Sequence, residues 1–451
     1  MQQGALRAAT WSTQDTRERV VLGVIAAGAA AVVYIWWANN PGGSLHSLAD
    51  RLTGAGRITG LVGTYLILVQ VVLMARVPWL DRWIGSDRLA RWHRSNGQYT
   101  IALLVAHTVL IIAGYAGFDH LSLASETSKL LRYYPDVLVA TVALGLLVLV
   151  SITSVRAARR RLRYETWYFV HLYTYLAIAL SFSHQLATGN EFATHPGVRA
   201  LWVALYVVAF GMLAIWRVAV PVRDAFRHQL RVAVVRPEAA NAVSVYMTGR
   251  DIERLGAQSG QFFRWRFLDR GHWWEAHPFS LSMAPNGHAL RITAKGVGDH
   301  SRGLRGLRPG TRVIAEGPYG NLTARRRTRR RVLMIAGGVG ITPLRALIED
   351  LPVAPGDITL LYRVSNEREV LFRAELEELA MARGIEVRYL LGRRDKNADA
   401  LSPRKLRQYV PNIAARDVYL CGPPGMMDAA MASLTSIGVP RSHIHFERFE
   451  L

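Results

Sequence analysis

Long apolar runs separated by short polar ones dominate the first half of the chain, and the second half lacks them. Six runs approach the ~20 residues that a helix needs to cross a hydrocarbon core. They cover residues 20–38, 58–75, 92–117, 137–155, 167–186 and 200–216. Past residue 226 the pattern shortens to alternating segments, "LRVAVVRP", "AVSVYMTG" and "GQFFRWRFLD", which suit an antiparallel barrel. From residue 331 it changes again: "RVLMIAGGVGITPLRALIEDL" reads as a buried strand, a glycine-rich turn and an amphipathic helix. "ITLLYRV", "EVRYLLG" and "DVYLCGPPGMM" supply further strands of a parallel sheet, with ligands expected at its carboxyl edge. The expected architecture is multi-domain: a six-helix transmembrane bundle, an antiparallel β-barrel and an α/β parallel-sheet domain. Its boundaries fall at 1–19 for a cytoplasmic N-terminal segment, then 20–226, 227–328 and 329–451.

Charge refines this picture. The formal net charge is +22, yet the basic residues do not lie on a patterned soluble face, so nucleic-acid binding is not expected. They concentrate in two loops, "RVPWLDRWIGSDRLARWHR" and "RAARRRLRYE", while "NNPGGSLHSLAD", "FDHLSLASETSK" and "ATGNEFATHPG" carry few. The positive-inside rule then puts the N-terminus, the basic loops and the C-terminal half in the cytoplasm of an integral membrane protein, expected in the plasma membrane. The first apolar run follows Arg17 and Arg19, ends on Trp36 and Trp37 and has no small-residue cleavage pattern, so it reads as a spanning helix. The single cysteine, Cys421, rules out an intramolecular disulfide.

Ionisable groups inside spanning helices are costly and therefore functional candidates. The third run holds His93 and His107, the fifth His171 and His184. If both helices run outward, His93 and His171 lie near the inner face, and His107 and His184 about 20 Å further out at ~1.5 Å per residue. Two histidine pairs, one per leaflet, suit the axial positions of two b-type haems. Hydrogen-bonded packing is the bland alternative for any one of them, and zinc lacks the thiolates or carboxylates to complete its tetrahedra. A spacing of 14 returns a side chain to within about 40° of the same helical face, whereas 13 leaves about 140°. The fifth helix is therefore expected to kink or tilt, or its histidines to reach their partners from different sides. Arg91 and Arg94 flank His93 and suit haem propionates or interfacial snorkelling equally well.

The ordered series "HPFS", "GDHS", "GPYG", "GGVGITP" and "CGPPGMM" resembles the ferredoxin-NADP reductase superfamily. Joined to histidine pairs spaced 14 and 13 apart, the chain resembles the NADPH oxidase and ferric reductase family of transmembrane flavocytochromes. The resemblance implies FAD in the barrel and NAD(P)H in the last domain. It implies that His277, Pro278, Phe279 and Ser280 line the isoalloxazine, with Ser280 near N5. Gly298 and Ser301 hold the FAD pyrophosphate, and Gly317, Pro318, Tyr319 and Gly320 close the barrel beside it. Gly337, Gly338, Gly340, Thr342 and Pro343 cradle the nicotinamide dinucleotide, bordered by Cys421, Gly422 and Pro423. An aromatic near the C-terminus shields the flavin, Phe449 in preference to Phe446. Ser280, Cys421 and Phe449 are thereby the candidate catalytic residues.

Arg363, just after the second parallel strand, and Arg393 and Arg394 after the third favour NADPH, with NADH open. The implied activity is an NAD(P)H-dependent oxidoreductase in the lipid bilayer. It carries electrons through FAD and two bis-histidine haems to an outer acceptor, ferric chelate or dioxygen. The animal oxidases carry a further histidine one turn past the outer ligand; Ile111 stands there, which favours ferric or another acceptor. Two alternatives stay open: a flavin reductase passing electrons to a quinone or protein partner, and a haem-free membrane anchor.

Overall fold

The computed structural model describes residues 13–40, 46–155, 158, 161–162, 164–239, 241–269, 273–296, 303–392 and 398–447. The chain divides into two compact units, residues 1–77 with 88–217, and residues 78–87 with 218–451.

The first unit is helical. Long helices run over Thr13–Asn39, Leu48–Met74, Ser86–Asp119, Val137–Ser154, Tyr164–Thr188 and Pro196–Ala214. Their outward surface is apolar, with Val24 and Val208 more than half exposed, as expected where the surrounding solvent is lipid. Among the described residues, five spans are long and apolar enough to cross a membrane: Thr16–Asn39, Leu48–Met74, Arg88–Asp119, Val137–Ser154 and Pro196–His228. The fifth expected span, residues 167–186, does not meet this criterion. Tyr164–Thr188 is a continuous helix of 25 residues, but its tyrosines, serines, glutamine and two histidines dilute its apolar content.

Helices Leu48–Met74 and Ser86–Asp119 approach closely because glycines face each other's side chains. A Cβ on Gly56 would meet Ile111, one on Gly63 would meet Leu104, and one on Gly114 would meet Thr53. Small residues at such spacings are the usual means of close helix contact in lipid. One expected outer loop contains a helix of its own, Leu123–Tyr133, capped by the Ser122 hydroxyl on the Ser125 amide.

The second unit holds three sheets. β1 (Arg231–Ala239), β2 (Ala242–Thr248) and β5 (Ala289–Lys295) form one antiparallel sheet in the order β1-β2-β5. β3 (Phe262–Phe267), β4 (His277–Ser280) and β6 (Val313–Tyr319) form another, ordered β4-β3-β6. Single bridges, Arg231 to Arg312 and Leu281 to Ile292, link them around a core of Val245, Met247, Phe263, Trp265, Phe267 and Ile292. Among the described residues, regular pairing thus covers two three-stranded sheets, and they meet at both edges only through these single bridges.

The third sheet is parallel, ordered β11-β10-β7-β8-β9, from β7 (Val332–Gly337), β8 (Ile358–Val364), β9 (Glu386–Leu391), β10 (Asp417–Cys421) and β11 (Ile444–Phe446). Both faces are covered, so β7 is buried at every position and its hydropathy does not alternate. Val332, Met334 and Ala336 pack into one layer, Leu333 and Ile335 into the other.

The antiparallel and parallel parts of this unit are tied by a buried cation. Arg291 on β5 bonds both Glu375 carboxylate oxygens at 2.7 and 2.9 Å, the Tyr246 hydroxyl at 3.1 Å and the Ser282 carbonyl at 2.6 Å. Its guanidinium also lies 4.8 Å from the Phe372 ring centre. Burial opposes its charge, and Glu375 and Tyr246 together outweigh that effect, holding the Arg291 pKa above its ordinary value.

Candidate functional site

The four membrane histidines come together in two pairs. His93 and His171 face each other with ring centroids 5.9 Å apart and planes crossed at 66°. This is close enough for both rings to share one ion at the ~2 Å metal–nitrogen distance. Trp167 stacks on His171 at 5.1 Å and donates to Ser154 Oγ at 3.2 Å. His107 and His184 line one cavity of about 1560 Å³ empty volume, part of it open to the surroundings. The helix carrying His171 and His184 is continuous over 25 residues.

Hydrogen bonds set the ring orientation of the cavity pair. His107 Nδ1 lies 2.8 Å from the Gly56 carbonyl, which can only accept, so Nδ1 carries the hydrogen. The Thr188 hydroxyl gives its one hydrogen to the His184 carbonyl at 2.8 Å, leaving its oxygen to accept from His184 Nδ1 at 3.1 Å. Both Nε2 atoms are left as lone-pair donors, the state that binds a metal. Arg57, Tyr115, Thr127 and Tyr134 also line this cavity. Sequence reading missed them; an arginine three turns into a spanning helix was the available signal for Arg57.

On β4, Ser280 pairs in register with Phe262 of β3, and Phe262 pairs in turn with Tyr319 of β6. The Ser280 hydroxyl is buried without a hydrogen-bond partner. Such a group is costly unless something satisfies it. The Phe279 carbonyl accepts from Trp265 Nε1 at 2.9 Å, which fixes the strand's edge. His277 Nε2 lies 3.2 Å from Glu275, and Pro278 stands opposite Arg264. Gly317 and Gly320 have φ of 152° and 94°, conformations that favour glycine, on either side of Pro318 and Tyr319. Gly298, Ser301, Phe449, Arg393 and Arg394 lie outside the described residues.

In the parallel sheet the chain goes from β7 outward to β8 and β9, then returns to β10 on the other side of β7. The order reverses between β7 and β10, and open α/β sheets bind ligands at the carboxyl end of such a switch point. The turns that follow these two strands meet there. A Cβ on Gly340 would press on the Cys421 carbonyl and come 2.7 Å from Gly422 N, and Gly422 itself lies against Gly337. Gly337 to Gly340 lead into helix Ile341–Asp350, whose N-terminal amides favour anions. Tyr362 donates to the Gly338 carbonyl at 3.1 Å and accepts from Leu371 N at 3.2 Å, bracing the turn. Thr342 donates to the Val339 carbonyl at 2.9 Å, and Pro343 is buried beside it. Arg363 stands opposite Gly337 at the same edge, and Pro423 opens helix Pro424–Ser436. Cys421 is fully buried; burial, with Glu447 adding to it, pushes its thiol pKa far up and favours the neutral thiol.

Residues 59–182 match the ferric reductase like transmembrane component, and residues 334–432 the oxidoreductase NAD-binding domain. The chain joins a ferric reductase-like membrane domain to a ferredoxin-NADP reductase-like module. The first match lies mainly in the helical unit and the second in the unit that holds the parallel sheet. It is 32% identical over 229 residues to a flavohemoprotein of Vibrio cholerae, covering 48% of this chain and 54% of that one. An NADPH oxidoreductase of Mycobacterium tuberculosis is 27% identical over 56% of this chain and 69% of its own. NADH-cytochrome b5 reductase 1 of Laccaria bicolor is 30% identical over 36% and 56%. The chain thus spans about half the length of the flavohemoprotein it matches. Among solved structures, the FAD/NAD binding domain of nitric oxide dioxygenase from Vibrio cholerae aligns with 27% identity and a TM-score of 0.41, over 49% of this chain and 99% of that one.

Proposed function

We propose that the protein carries electrons from cytoplasmic NAD(P)H across the plasma membrane to a small acceptor on the outer side, ferric chelate or dioxygen. The observation that carries this reading is the pair of histidines on one cavity, each with Nδ1 engaged and Nε2 left for a metal. His107 and His184 would hold an outer b-type haem, His93 and His171 an inner one. FAD would lie against β4, where the buried Ser280 hydroxyl lacks a hydrogen-bond partner, and the nicotinamide dinucleotide would lie at the β7–β10 switch point. When bound, these groups supply the hydride-accepting and one-electron chemistry that side chains lack.

The chain's own residues orient and enclose. Ser280 offers a hydroxyl to the redox ring, the Gly337–Gly340 turn and helix Ile341–Asp350 present amides to a pyrophosphate, and Cys421 borders the nicotinamide as a neutral wall. Arg363 suits the 2'-phosphate of NADPH, and Arg57 gives the outer cavity a cation for propionates or for an anionic acceptor. Helix Tyr164–Thr188 completes a bundle of six crossing helices, polar only where its histidines need partners, and the arginine-dense loops keep both nucleotide regions cytoplasmic.

Purified protein should show a b-type reduced-minus-oxidised spectrum with two haems per chain by pyridine haemochrome. His107→Leu and His171→Leu should each remove about one. A protein without haem absorption, still oxidising NADPH, would favour the anchored flavin reductase instead.

A further inference from the structure

Helix Leu48–Met74 carries no histidine, yet it is the helix on which His107 rests. A Cβ on Gly60 would sit 2.6 Å from His107 Nδ1, 2.9 Å from Cε1 and 3.0 Å from Cγ, that is, on the imidazole itself. Only glycine at this position lets the ring lie flat enough against the helix for Nδ1 to reach the Gly56 carbonyl one turn away. On the opposite helix, Thr188 does the same for His184. The inner pair is held differently: His93 Nδ1 is buried without a partner while its ring interacts with the Gln70 backbone, and His171 Nδ1 has a long contact of 3.5 Å with Ser154 Oγ.

We propose that Gly60 is a positioning residue for the outer histidine pair. With the Gly56 carbonyl and the Thr188 hydroxyl, it fixes Nε2 as the ligating nitrogen and separates the outer redox potential from the inner. An Nδ1 hydrogen bond makes the imidazole a stronger donor, which stabilises ferric over ferrous iron and lowers the potential. The inference rests on the haem reading above.

Its test is an optical redox titration of the full-length protein in detergent micelles, comparing wild type, Gly60→Ala, Thr188→Val and Gly63→Ala. Gly63→Ala is the packing control, since its Cβ would meet the mobile end of Leu104 at 3.0 Å on the same helix face. Gly60→Ala should raise one of two midpoints about tenfold in ferric/ferrous preference, ~59 mV for one electron. Thr188→Val, which keeps shape and removes the acceptor, should move the same component in the same direction. Gly63→Ala should move neither. Unchanged midpoints in both Gly60→Ala and Thr188→Val overturn the inference, as does an equal effect of Gly63→Ala and Gly60→Ala. Two-component titration absent from the wild type overturns the haem reading itself.

Discussion

Gly340→Ala tests the switch-point cradle, and its cost can be read from what the new methyl meets. The added Cβ would press on the carbonyl of Cys421 and come 2.7 Å from Gly422 N, both backbone atoms at the end of a fully buried strand. Backbone there cannot yield without pulling β10 out of register with β7, so the strain falls on the turn itself. Overpacking of this kind costs about 1–3 kcal/mol. If the strain is relieved by opening the turn that holds the dinucleotide, ~1.4 kcal/mol per factor of ten makes this about 5- to 150-fold in NAD(P)H affinity. Gly337→Ala is the paired control, three residues away. Its Cβ meets chiefly the end of Met426, with Cε at 2.7 Å, and methionine adapts. Steady-state NAD(P)H oxidation with a soluble artificial acceptor reads the difference: Gly340→Ala should raise KM strongly, and Gly337→Ala clearly less. Equal KM values for Gly340→Ala and wild type, in a protein of unchanged melting temperature, would refute the argument that these turns form the cradle.

Other expectations concern the same unit. Ser280→Ala should slow flavin reduction by NAD(P)H about 2- to 10-fold in stopped flow with little change in KM, the worth of one neutral hydrogen bond. Glu375→Leu should strand the fully buried Arg291 and cost about 3–5 kcal/mol, near the lower end because Tyr246 and Ser282 remain, as measured by chemical denaturation. Asp417 is pushed up by burial, but His445 and the amides of Arg329 and Thr328 outweigh this and hold its pKa below the ordinary carboxylate range. A depressed carboxylate stabilises the fold above its unfolded pKa of ~3.9, and that contribution is lost as pH falls through the lower folded value. Asp417→Asn should therefore lower the melting temperature at pH 7 and converge with wild type in acid. Cys421 should resist alkylation at pH 8 in the native protein and react once unfolded.

What the sequence reading could reach followed local pattern. Strands β1 to β3 and β7 to β10 stand where alternating or continuous apolar runs predict them, β4 to β6 carry no such pattern in that reading, and the paired histidines were visible because imidazole is so costly in lipid. Interactions that depend on distant pairing were out of reach. The carbonyl of Gly56 under His107, 51 residues away, follows from how two helices pack and from no motif. Closure of the antiparallel region depends on long-range pairing, and single bridges are what residues 231 and 312 supply. Helix Leu123–Tyr133 lies in a segment whose low positive charge marks it as an outer loop; the Ser122 cap and its amphipathic pattern are the local signals for a helix. β11 escaped because its three residues become a strand only beside β10.

A sided assay in proteoliposomes tests the central claim most directly. With NADPH supplied to the nucleotide-binding side, a membrane-impermeant ferric chelate or a superoxide-sensitive cytochrome c should be reduced on the opposite side. In His107→Leu that reduction should vanish while NADPH oxidation by a soluble acceptor on the near side persists. Undiminished reduction across the bilayer in His107→Leu would contradict the account.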